Sequence, residues 1–88
     1  MTVHSLKILE HFADAVVSGD KTFEVRKDDR IYCKGDSIKF TAVSGYVDDR
    51  ITTVQHPINE KVYEITYVLK GWGIKDGYCV FGIKEVQE

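Results

Sequence analysis

Hydrophobic residues recur with period two in segment after segment of this chain, and with helical spacing in only one short stretch. That contrast limits the fold more than any other feature, because a period-two run hides one face only when it lies in a sheet. Val3 to Leu9 alternates, with His4, Leu6 and Ile8 on one face. Leu9, Phe12, Ala15, Val16 and Gly19 then fall at helical spacing, with acidic residues early and Ser18-Gly19 as the stop. This helix spans about three turns, too short to persist alone, so packing of its Phe12/Val16 face must hold it. Thr22 to Arg26 returns to alternation, with Phe23 and Val25 on one side and Thr22, Glu24 and Arg26 on the other. Lys34-Gly35-Asp36 is a turn before a strand carrying Ile38, Phe40 and Ala42. Residues 44–50 read as loop, Ile51 to Gln55 as a short strand, and His56-Pro57-Ile58-Asn59 as a break. Lys61 to Lys70 places Tyr63, Ile65, Tyr67 and Leu69 on one face, and Tyr78 to Val86 places Cys79, Phe81 and Ile83 on one face. The expected order is β-α-β-β-(β)-β-β, an α+β domain over residues 1–88. A small mixed β-barrel, sealed on one side by the helix after the first strand, satisfies that order.

At 88 residues the chain supports one core, which buries only about 60% of the unfolded surface. Aromatic and β-branched residues run throughout, which excludes disorder. No apolar stretch approaches the ~20 residues of a membrane span, and no leader pattern is visible, so a soluble cytoplasmic protein is expected. Cys33 and Cys79 belong to no C-x-x-C pair and stand at no metal-ligand spacing with His4, His11 or His56. Reduced cysteines behaving as small buried hydrophobes are expected, with no metal and no cofactor. Asp48-Asp49 with Glu60 resembles no calcium loop and reads as solvated acidic surface.

The formal net charge of −2 argues against a general polyanion binder. It is unevenly spread. Residues 1–20 carry three carboxylates against Lys7, whereas residues 21–34 carry five cations against three carboxylates, and residues 61–84 four against two. Two mildly basic segments on an acidic body permit a localised anion site. The densest polar group is Lys21, Glu24 and Arg26, at the helix exit and on the next strand. Glu24 and Arg26 share a strand face about 6.6 Å apart. Cations there suit phosphate or carbonyl oxygens, and the carboxylate suits an amine or hydroxyl donor. The plainer alternative is an ion pair on an outer sheet face, worth little to stability.

The run Ser18 to Arg26, S-G-D-K-T-F-E-V-R, resembles the G-x-K-x-x-E-x-R signature of ASCH domains in the PUA-like superfamily. His4 to Ile8, Lys34-Gly35-Asp36, Tyr67 to Gly71 and Gly77 to Ile83 resemble blocks of small bacterial and phage ASCH-like proteins. The resemblance spans all but about residues 45–60. It implies a PUA-like barrel with a cleft between helix and barrel, lined by Lys21, Glu24 and Arg26, that binds RNA. Some ASCH domains belong to transcriptional coactivator proteins. One group hydrolyses acetylated cytidine with a Thr three residues after the motif Lys. Glu24 stands in that place here and Thr22 falls two positions too early, so the resemblance implies binding rather than that catalysis.

Further candidates surround this group. His4 is either a cleft ligand or a half-buried structural residue, and Lys7 lies on the same strand. Trp72, Lys75 and Tyr78 lie in a Gly-rich loop, suited to stacking a base beside a phosphate-binding cation, or else to plugging the end of a barrel. The leading expectation is an RNA- or nucleotide-binding module using Lys21, Thr22, Glu24, Arg26, His4, Lys7, Trp72, Lys75 and Tyr78. Two rivals are an enzyme acting on a modified nucleoside through Lys21 and Glu24, and a protein-interaction module offering an edge strand near residues 45–60.

Overall fold

The computed structural model describes residues 1–47 and 50–87. Strand β1 (Val3–Leu9) runs directly into helix α1 (Glu10–Ser18), followed by β2 (Phe23–Lys27), β3 (Ser37–Val47), β4 (Arg50–Thr53), a 3-10 turn (Pro57–Glu60), β5 (Tyr63–Leu69) and β6 (Tyr78–Glu85). One mixed sheet holds all six strands in the order β1-β3-β5-β6-β2, with β4 folded back on β3. Only β1 and β3 are parallel, which places α1 as part of the crossover between β1 and the remaining strands. The α+β architecture with one helix after the first strand is therefore as expected.

The core follows the period-two pattern. Leu6 and Ile8 of β1, Ile38, Phe40 and Ala42 of β3, Tyr63 and Ile65 of β5, and Cys79, Phe81 and Ile83 of β6 are all buried. Ile58 of the 3-10 turn closes one side. His56 caps that turn, its Nδ1 accepting from the Ile58 amide at 3.1 Å while Nε2 meets Asp14 Oδ1 of α1 at 2.7 Å. Gly19 ends α1 with φ 90°, its amide returning to the Val16 carbonyl at 3.1 Å. The helix buries Ala13 and Val16. Phe12, expected to share that face, is displaced to its flank and stays largely exposed.

Several expectations need correction. The sheet is not a closed barrel: β1 and β2 are its two edges and do not pair. Residues 44–47 belong to β3 rather than to a loop, because pairing with β4 extends the strand past a bulge between Val43 and Tyr46; Asp48 and Asp49 lie outside the described residues. On β5, Tyr67 does not join Tyr63 and Ile65 inside but is 66% exposed. The cause is a register shift against β6 between Ile65 and Tyr67, which inserts Thr66 as an extra residue and turns the pleat over. Cys33 is also exposed, unlike buried Cys79, and both thiols are free.

The Thr66 bulge depends on Gly82. Thr66 Oγ1 crowds the place a β-carbon on Gly82 would take, so a side chain there forces the Thr66 hydroxyl out of its present rotamer. Gly82→Ala is expected to destabilise the fold by about 1–3 kcal/mol, the usual cost of overpacking. Tyr63 supplies a contrast: its hydroxyl is buried without a partner among the described residues. Tyr63→Phe removes that unsatisfied group at constant shape and is expected to be neutral or slightly stabilising. Urea denaturation of the two variants beside the parent chain checks both.

Candidate functional site

The seam between the unpaired edges opens into a cleft of about 870 Å³. Its walls come from β1 (Leu6 to Leu9), α1 (Phe12, Ala15), the helix exit (Asp20, Lys21), all of β2, the following corner (Asp29, Arg30, Tyr32) and Tyr78 at the start of β6. Both edge strands line one cavity, so the sheet curls toward closure without achieving it.

On β2 the pleat is as expected, but its orientation is the reverse of an ordinary amphipathic strand. Phe23 and Val25 are 45% and 54% exposed at the rim, whereas Glu24 is only 4% exposed. The ion pair is thus not on an outer sheet face. Glu24 Oε1 accepts from Lys21 Nζ, and Glu24 Oε2 accepts from Arg26 Nε at 2.9 Å. Lys21 Nζ also donates to the Phe23 carbonyl at 2.6 Å and lies between two rings, 5.4 Å from the centroid of Phe12 and 5.1 Å from that of Phe23. Arg26 Nη2 reaches across the seam to the Lys7 carbonyl of β1 at 2.7 Å. A guanidinium thus spans the gap that backbone pairing leaves open.

This geometry changes what the group can recognise. Both Glu24 oxygens already accept charge-assisted bonds, which are stronger than neutral ones. Arg26 Nη1 and one Lys21 proton have no protein acceptor among the described residues. The group therefore presents spare donors and suits a ligand bearing phosphate, carboxylate or carbonyl oxygens.

Tyr32 forms the deeper wall. Its ring lies 4.7 Å from His4 on one side and 4.7 Å from Phe81 on the other, with the Arg30 guanidinium 5.9 Å from its centroid. Burial raises its phenol pKa above 10.0, so it remains a hydrogen-bond donor at neutral pH. His4 does not line the cleft; it is buried behind Tyr32 with Nε2 2.9 Å from Asp36 Oδ2. The same carboxylate receives the amides of Cys33 at 3.0 Å and Thr2 at 3.3 Å, which ties the start of the chain to the β3 turn.

Of the expected site residues, the structure brings together Lys7, Lys21, Glu24, Arg26 and Tyr78. Thr22 is absent from the lining, and its carbonyl serves β6 by accepting from the Ile83 amide at 2.9 Å. Trp72 and Lys75 also stand outside; Lys75 Nζ lies 5.6 Å over the Tyr78 ring, and Trp72 is free in solvent. Sequence reasoning missed Phe12, Arg30 and Tyr32. Phe12 was assigned to the core, and the Arg30–Tyr32 segment has no periodicity to mark its direction. Among the described residues no cluster of three or more His, Cys, Asp or Glu is placed to hold a metal ion. No described helix is long and apolar enough to cross a membrane.

The fold and site define a small α+β domain whose open sheet seam forms a basic, aromatic-walled cleft. The sequence matches a family described as a domain of unknown function (DUF3850) over residues 3–83, and the chain belongs to that family. The matched span includes every residue of the cleft. No curated protein matches the chain.

Two measurements test this account. Glu24→Ala leaves Lys21 and Arg26 facing each other without a counter-charge. Removing one partner of a fully buried pair costs about 3–5 kcal/mol, and the partial exposure of both cations puts this case at or below the lower end. A loss within ~0.5 kcal/mol, typical of surface sites, would refute the buried arrangement. The His4 bond, with the Cys33 and Thr2 amides, holds the Asp36 carboxyl below its usual 3.8. A depressed carboxylate stabilises the fold fully above its unfolded pKa and loses that contribution as pH falls through the folded value. The parent chain's advantage over Asp36→Asn should therefore shrink below about pH 3.8 in denaturation series; a gap that persists unchanged to the lowest pH contradicts the assignment.

Proposed function

We propose that the chain is an ASCH-like, PUA-related module that binds RNA, or a single nucleotide unit of it, in the seam cleft. One observation carries the reading. Five cations (Lys7, Lys21, Arg26, Lys27, Arg30) and three carboxylates (Asp20, Glu24, Asp29) line this cleft, in a chain whose net charge is −2. The largest share of the wall is apolar or aromatic, with Phe12, Phe23, Tyr32 and Tyr78. Such a combination suits a ligand with one flat face and one anionic group, which describes a nucleotide. The placement of the G-x-K-x-x-E-x-R residues at the helix exit and on β2 supports the ASCH resemblance.

The spare Arg26 and Lys21 donors take phosphate or base carbonyl oxygens, while Glu24 holds both cations in place rather than reading the ligand. The small number of cations predicts modest affinity and a shallow salt dependence. In an NMR titration with mononucleotides and short single-stranded RNAs at low salt, shifts should concentrate at Lys21, Glu24, Arg26, Tyr32 and Tyr78. Arg26→Ala, checked for an intact spectrum, should weaken binding by about 1.5–3 kcal/mol, the value of a hydrogen bond to a charged group. Absence of shifts in these residues with every nucleotide and RNA tried would overturn the reading.

A further inference from the structure

The loop between β5 and β6 holds a conformation that packing does not explain. Gly71, Trp72 and Gly73 have φ of 69°, 54° and 89°, three consecutive residues in the left-handed region. Among the described residues Trp72 is the only non-glycine there. A bulky side chain disfavours this region strongly, and such strain concentrates where a chain binds something. The indole gains nothing in return, being 92% exposed. Hydrogen bonds fix the loop as two turns, from the Ile74 amide to the Gly71 carbonyl at 2.9 Å and from the Tyr78 amide to the Lys75 carbonyl at 3.1 Å.

The loop is also fastened to the cleft. The Asp28 amide donates to the Gly77 carbonyl at 2.9 Å, and Lys70 pairs with Asp28 at 3.1 Å. Tyr78, where the loop ends, is the register partner of Lys27, and both line the cleft. Lys75 leans over the Tyr78 ring at 5.6 Å. An exposed flat ring thus stands in a loop that carries Lys75 and whose last residue, Tyr78, lines the cleft. Its sequence neighbours are glycines, which leave the indole open to stack on a base.

We propose that Trp72 is a second stacking station for single-stranded RNA, taking the base of one nucleotide while a neighbouring nucleotide occupies the cleft and Lys75 meets the phosphate between stations. The proposal rests on the nucleotide reading of the cleft and extends it: the ligand is a strand rather than a mononucleotide.

Trp72 is the sole tryptophan, so intrinsic fluorescence reports this position alone. The chain is titrated at low salt with a ribonucleoside monophosphate and with RNA and DNA oligomers up to a hexamer. Oligomers should quench Trp72 and the monophosphate should not. Trp72→Ala and Trp72→Phe lack the reporter ring, so their affinities are read from the NMR shifts of the cleft residues: Trp72→Ala should weaken hexamer binding ~10-fold, the effect of losing one base–aromatic stack, and leave monophosphate affinity unchanged, and Trp72→Phe should restore most of the loss. Equal quenching by DNA assigns recognition to base and phosphate, whereas quenching by RNA alone adds a ribose contact; both support the station. Hexamer binding that is lost in Arg26→Ala yet indifferent to Trp72→Ala overturns the station while the cleft reading stands. Quenching that survives Arg26→Ala undiminished overturns the cleft reading and keeps the loop as a site. Fluorescence unmoved by every oligomer overturns the station outright.

Discussion

Everything distinctive about this molecule depends on one buried carboxylate. Glu24 sits on an edge strand whose inward face would ordinarily carry a hydrophobic residue, and it is held there by Lys21 on one oxygen and Arg26 on the other. Burying a charge is costly unless it is paired and hydrogen-bonded, and Glu24 is both. Arg26 then extends the network to the Lys7 carbonyl on the opposite edge. The polar network thus occupies the place where β1 and β2 would pair in a closed barrel. The seam there stays open as a cleft of about 870 Å³.

The rest of the sheet makes that opening tolerable. The central strands β3, β5 and β6 carry most of the buried side chains, and Leu6, Ile8 and Tyr32 extend the core up to the seam. Exposed edges invite pairing with other chains, and here β2 carries Arg26 within it and Lys27 at its end, while β1 carries Lys7. The Thr66 bulge against Gly82 adds local curl at the pair of strands next to β2. The two edges face each other across the cleft, linked by Arg26 Nη2 donating to the Lys7 carbonyl.

Behind the cleft, the His4–Asp36 pair has a different part from the one its residue types suggest. Two hydrogen-bonding partners on β1 and the β3 turn, buried and close, fasten the parallel pair that begins the sheet. Tyr32 packs against that imidazole, tilted 48° to it, and also lines the cleft, so the buried pair supports the cleft wall from behind.

Sequence alone determined the element order, the buried faces of β1, β3 and β6, the helix stop at Gly19 and the closeness of Lys21, Glu24 and Arg26. These are local properties: period two, period 3.6, the freedom of glycine and the spacing of neighbours on a strand all act within a few residues. Tertiary structure decided the rest. Which side of β2 faces inward could not be read from F-E-V-R, since the hydrophobic face normally wins and only the paired cations reverse it. Tyr67 leaves the core because Thr66 bulges over Gly82, a contact between two strands. Tyr32 and Arg30 join the site because the chain after β2 folds back over the seam, and Trp72 stays outside its lining. Closure of the sheet was decided last, by a guanidinium from one edge bonding to a carbonyl of the other, an interaction between residues 19 positions apart that no local pattern encodes.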